Sequence, residues 1–94
     1  MTRPTRRVDV SELPLDDDLV LYDPGTGLAH ILNPTASHIW ALCDGLRTTG
    51  SMARAISAAF GVERQQALAD VHAFVHELRE AGLLAEPTSM SDPA

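Results

Sequence analysis

The chain has almost no cysteine: Cys43 stands alone. No disulfide can form within it and no cysteine-based zinc site is available, which suits a reducing compartment. Aromatic residues are scarce as well. They make up 4% of a chain that is 45% apolar, so Leu, Val, Ile and Ala must fill the core. Positive charge is short: seven Lys+Arg against thirteen Asp+Glu give a formal charge of −6. A duplex-DNA binder must offset phosphate charge, so this balance argues against a nucleic-acid partner. Long apolar runs are missing too. The N-terminus lacks an apolar stretch of signal-peptide length, and no segment approaches the ~20 apolar residues of a membrane span. These absences point to a cytoplasmic protein with no membrane partner. A length of 94 residues fits one domain with one core.

What is present reads as strands followed by helices. Val8 and Val10 alternate around Asp9 and predict a short first strand. Ser11 to Asp18, with Pro14 and the Asp16-Asp17-Asp18 run, predicts a loop. Leu19 to Tyr22 and Leu28 to Leu32 are apolar, β-prone runs. The turn formers Asp23-Pro24-Gly25-Thr26-Gly27 separate them, which predicts a hairpin. Asn33-Pro34 marks a helix start, with Asn as N-cap and Pro at the first helical position. Ala36, Ile39, Trp40 and Cys43 then supply the buried stripe. Thr48 caps a second helix from about Thr49 to Phe60, with Met52, Ile56, Ala59 and Phe60 as its stripe and Gly61 as its stop. A third helix runs from about Glu63 to Ala81. Leu68, Val71, Val75 and Leu78 repeat along it at helical spacing, with Phe74 beside them. Gly82 can take the left-handed capping conformation, and Leu83 or Leu84 can fold back on the last turn. A small sheet with one apolar face must pack on the helices, so the class is α+β: a three-stranded antiparallel sheet followed by three helices, winged-helix-like. Residues 1–7, with Arg3, Arg6 and Arg7, read as a flexible basic arm. Residues 8–85 form the single domain, and 86–94 read as a disordered tail.

No constellation for chemistry stands out. His72 and His76 lie four apart on the third helix, a spacing that can bind zinc, but the sequence offers no third ligand. His30 and His38 join them only if the fold brings them near. Cys43 sits at a helix C-terminus, which raises a thiol pKa rather than lowering it. The triple aspartate lacks the spacing of a calcium loop, and the Asp23–Gly27 turn lacks the Lys of a phosphate loop. No catalytic residue, metal ligand or cofactor is assigned. What remains is binding. An edge strand presents unpaired backbone groups to which a peptide can add as a further strand. The Leu28–Leu32 strand and the third helix either shape such a site or simply form the core.

The stretch from Asp23 to Leu84 resembles the PqqD-like family, also described as RiPP recognition elements, where RiPPs are ribosomally made, enzymatically modified peptides. The resemblance rests on Thr26-Gly27 and on His30-Ile31-Leu32-Asn33-Pro34-Thr35-Ala36. Ile39-Trp40 and Asp44-Gly45 with Thr48 follow, then Asp70-Val71 with Phe74, Leu78 and Gly82-Leu83-Leu84. It implies a winged-helix-like fold and a non-enzymatic chaperone. Such a protein captures the leader segment of a precursor peptide by strand addition and presents it to a modifying enzyme, a radical-SAM enzyme or a leader peptidase. Carried over by residue, the resemblance implies a peptide-binding strand of Leu28, Ala29, His30, Ile31 and Leu32. It implies a groove wall of Asp70, Val71, Phe74, Val75 and Leu78. The segment Tyr22 to His30 looks more like the wider family, which includes lasso-peptide recognition proteins, than like members dedicated to pyrroloquinoline quinone biosynthesis. The alternatives are a winged-helix DNA-binding regulator and a structural subunit of a larger biosynthetic complex. The regulator would need a basic recognition helix, and Thr49 to Phe60 carries only Arg54. A homodimer through the open sheet edge would compete with the peptide.

Overall fold

The computed structural model describes residues 3–85. The expected 86–94 tail lies outside the described residues. The elements are β1 (Ser11–Leu15), β2 (Asp18–Asp23), β3 (Leu28–Leu32), α1 (Pro34–Leu42), α2 (Thr49–Phe60) and α3 (Arg64–Glu80). The strands form one antiparallel sheet in the order β1-β2-β3, and three helices follow it, so the α+β architecture is the expected one.

The first strand is not where the alternation placed it. Val8 is fully exposed in a turn, and Ser11–Leu15, expected as a loop, is the strand. Two features hid it. The acidic run is the tight turn itself: Asp16 and Asp17 join β1 to β2, and Asp16 takes φ 57°. Pro14 sits at the outer edge of the sheet, where its missing N–H leaves no ladder bond unmade.

The helices follow their caps. The Asn33 side-chain oxygen accepts from Ala36 N at 2.8 Å, and Thr48 Oγ1 accepts from Ser51 N at 3.2 Å. α2 stops at Gly61, with φ 68°. α3 closes in a Schellman turn: Gly82 N donates to Arg79 O, and Leu83 N to Leu78 O at 2.9 Å. Leu83 thereby folds back into the core.

The core gathers Leu21 and Leu32 from the sheet and Ile39, Trp40 and Cys43 from the first helical segment. Met52, Ala53 and Ile56 come from α2, and Ala67, Val71, Val75 and Leu78 from α3. Trp40 Nε1 donates to Glu12 Oε2 at 2.9 Å, tying α1 to β1. The stripe expected on α2 needs correction. Ala59 and Phe60 are exposed, and Ala53 is buried with Met52 and Ile56 instead. The last turn of α2 overhangs the core, and Phe60 meets the His38 ring edge-on at 5.5 Å between centroids.

The basic N-terminal segment is also not a free arm over its described part. Thr5 and Arg6 form β-bridges with Asp44 and Leu84, and Arg6 N donates to Cys43 O at 2.9 Å. Gly45 makes this approach possible, because a Cβ there would fall 2.7 Å from Thr5 Oγ1. Arg7 reaches Asp9 at 2.6 Å and the buried Asp23 at 3.1 Å. Charge on this segment therefore serves an internal partner. A buried carboxylate needs pairing, and this one sits at the start of the β2–β3 turn.

Candidate functional site

The register of the sheet decides which backbone groups are unused. Leu15 pairs with Asp18 across a two-residue turn, so those two residues exchange both ladder hydrogen bonds. Bonded pairs then alternate along the strands. Val20 and Tyr22 point their backbone groups at β1, while Leu19, Leu21 and Asp23 point theirs at β3. The β3 partners turned inward are Leu32, His30 and Leu28. Ala29 and Ile31 are left with N–H and C=O groups facing outward, and among the described residues no strand pairs with that edge.

Side chains follow the complementary alternation. Leu28, His30 and Leu32 lie on the helix-facing side with Leu21, whereas Ala29 and Ile31 lie on the outer face. Exposure agrees: Leu32 is 6% exposed and Ile31 71%.

Beside this edge runs a groove walled by α3. One part, of about 380 Å³, is lined by His30, Ile31, Leu32, Asn33, Ala36, Phe74, Glu77, Leu78, Ala81 and Leu83. A second part, of about 320 Å³, is lined by Asn33, Thr35, Ala36, Ile39, Asp70, Ala73, Phe74 and Glu77. The two share Asn33, Ala36, Phe74 and Glu77, so they form one trough from the end of α3 to the start of α1.

The residues expected in the groove divide cleanly. Leu32, His30, Phe74, Leu78 and Asp70 line it, and Ile31 forms its rim. Leu28 is 58% exposed at the hairpin end, and Ala29 offers backbone rather than side chain. Val71 and Val75, expected as groove wall, are core residues at 0% and 3% exposure. The helical period explains the correction. Ala67, Val71, Val75 and Leu78 are the stripe turned to the core. Asp70, Phe74 and Glu77 each precede a core residue of that stripe by one position, and with Ala81 one turn beyond Glu77 they form the neighbouring stripe, which faces the groove. Glu77, Ala81 and the α1 residues Asn33, Thr35 and Ala36 were missed. The one-residue offset of the α3 pattern was the available signal for Glu77, and its continuation by one turn was the signal for Ala81.

The histidines do not converge. His30 lines the groove, His38 meets Phe60 edge-on, His72 lies 3.3 Å from Thr49 Oγ1, and His76 is exposed. Among the described residues no three His, Cys, Asp or Glu side chains are grouped to hold a metal ion. Cys43 is buried, with Sγ 3.3 Å from Ile39 O. Asp23 is held below the usual carboxylate range. The Gly25 N–H at 2.9 Å is the largest single cause, and the Arg7 guanidinium adds to it against the opposing effect of burial. Among the described residues no helix is long and apolar enough to cross a membrane.

These features define a small α+β domain whose β3 edge is unpaired among the described residues and lies beside a helix-walled trough. The family model described as coenzyme PQQ synthesis protein D (PqqD) matches residues 18–84, and the chain belongs to this family. Two solved structures are similar over nearly the whole chain. One is TbiB1 in complex with the TbiA(beta) leader peptide, 26% identical with a TM-score of 0.76, covering 94% of this chain and 99% of that one. The other is lasso peptide synthetase B1 complexed with the leader peptide, 27% identical with a TM-score of 0.78, covering 90% and 100%. Curated protein sequences give no match.

Proposed function

We propose that this protein is a non-enzymatic, cytoplasmic leader-peptide chaperone. It captures the leader segment of a ribosomal precursor peptide as a fourth strand on β3 and presents it to a modifying enzyme. The observation that carries the reading is the edge itself. Ala29 and Ile31 hold outward backbone donors and acceptors beside a trough lined by Phe74, Leu78 and Leu83. Backbone bonds supply affinity without demanding a sequence, and the trough reads alternate side chains. The leader-bound relatives support the same reading and favour a lasso-type precursor over pyrroloquinoline quinone biosynthesis. Holding the precursor on the chaperone raises its local concentration at the enzyme, a radical-SAM enzyme or a leader peptidase, without any chemistry here.

An NMR titration of the labelled protein with the leader half of the precursor peptide encoded beside it tests the reading. Amide shifts should concentrate in Ala29–Leu32 and along the Asp70–Ala81 stripe, and saturate at low micromolar peptide. Unchanged spectra at large peptide excess would remove the leader-binding role and bring forward a structural subunit that uses this edge as a protein contact.

A further inference from the structure

The trough is apolar in its floor and acidic in its wall. Glu77 lines both of its parts and Asp70 the α1 end, while among the described residues His30 is the only other titratable side chain along it. No arginine among the described residues lines either part. Arg7 and Arg47 are paired with Asp9, Asp23 and Asp44, and Arg54 and Arg64 line a separate cleft between α2 and α3. The Glu77 carboxylate is exposed and has no ion-pair or side-chain hydrogen-bond partner among the described residues.

Strand addition fixes which leader side chains enter this field. Residues opposite Leu28, His30 and Leu32 turn to the helix side, and the alternate ones turn to the outer face beside Ile31. A helix-side residue deep in the trough meets Phe74, Leu78 and Leu83, while one at the rim meets Glu77. We propose that Glu77, supported by Asp70, makes the trough select a leader segment that places a basic side chain next to an apolar one on its helix-facing side. An acidic side chain at that rim position is rejected by like charge, so the carboxylate contributes discrimination as much as affinity. The inference rests on the leader-binding reading above and names the class of leader that the site takes.

Fluorescence anisotropy with synthetic peptides tests it. The probes are the leader segment of the precursor encoded beside the chain and versions carrying Lys or Glu singly at each helix-facing position. Each is titrated against the wild type, Glu77→Gln and Glu77→Lys. At one rim position the Lys peptide should bind the wild type about 10-fold more tightly than the Glu peptide. That is the sum of one exposed attraction gained and one repulsion lost, at a few-fold each. The preference should shrink in Glu77→Gln and invert in Glu77→Lys. Binding that ignores Lys or Glu at every helix-facing position, or a preference that survives Glu77→Lys unchanged, overturns the selectivity and leaves leader binding standing. Failure of every peptide, the native leader included, overturns the leader-binding reading itself. If Glu77→Lys does not fold, the Glu77→Gln series and loss of the preference at high salt decide the matter.

Discussion

The two edges of this sheet are made from the same kind of chain and behave oppositely. β1 turns the backbone of Glu12 and Pro14 outward, and β3 turns out that of Ala29 and Ile31. On β1 one of the two outward donors does not exist, because proline has no N–H, and Glu12 is drawn to Trp40. β1 is exposed along its whole length, and the cleft of about 370 Å³ that reaches Glu12 is lined mostly by the N-terminal segment, Thr5 to Val10, rather than by α3. On β3 all outward groups are intact and a trough runs alongside. An open edge is a hazard for aggregation. The molecule blunts the edge it does not use and keeps the one proposed to bind.

The largest expected effect separates β3's inward residues from its outward ones. His30→Pro removes a donor engaged with Leu21, at a cost of about 2 kcal/mol, and should lower the melting temperature by roughly 10 °C. Ile31→Pro removes an outward donor. It should leave the melting temperature nearly unchanged while weakening leader binding about 10-fold, read by calorimetry. If both variants melt alike and bind alike, the assigned register is wrong. A smaller effect is expected at the other edge. Pro14→Val restores the missing donor and should promote self-association through β1, seen as a rising mass in light scattering at high concentration, with leader affinity unchanged.

The smallest effect is electrostatic and concerns the turn that leads into β3. Asp23 titrates below its ordinary value of 3.8 in the folded chain, so its charged form stabilises the fold. That contribution is fully present at neutral pH and is lost as pH falls below 3.8 through the lowered folded value. Acid denaturation followed by circular dichroism should therefore begin in that range. Asp23→Asn should be less stable at neutral pH and should flatten the acid limb. An acid limb unaltered in the variant would remove Asp23 from the account.

Much of the fold was legible because its signals are local. Asn33-Pro34, Thr48, Gly61 and Gly82 mark helix ends through hydrogen bonds and backbone angles within a few residues, and each acts where the pattern placed it. β1 was not legible. A proline and an acidic run read as a loop until the second strand exists to make Pro14 an edge residue and Asp16-Asp17 a hairpin turn. The Arg3–Arg7 segment read as solvated charge because its partners, Asp23 and the ends of α1 and α3, are distant in sequence.

The candidate site divides the same way. An apolar, β-prone run marked β3 and a helical period marked α3, and the family resemblance joined the two into one site. Which of two adjacent stripes on α3 meets the core is a question of how the helix is rotated against the sheet. Packing settles it by burying Val71 and Val75 and leaving Phe74 and Glu77 to the trough. The class, the β2–β3 hairpin, the three helices with their caps and the acidic balance were readable from the chain alone, since each depends on near neighbours or composition. Which edge has a groove beside it and which carboxylate looks into that groove came from tertiary packing, because pairing register and helix rotation are set by contacts between segments far apart in the chain.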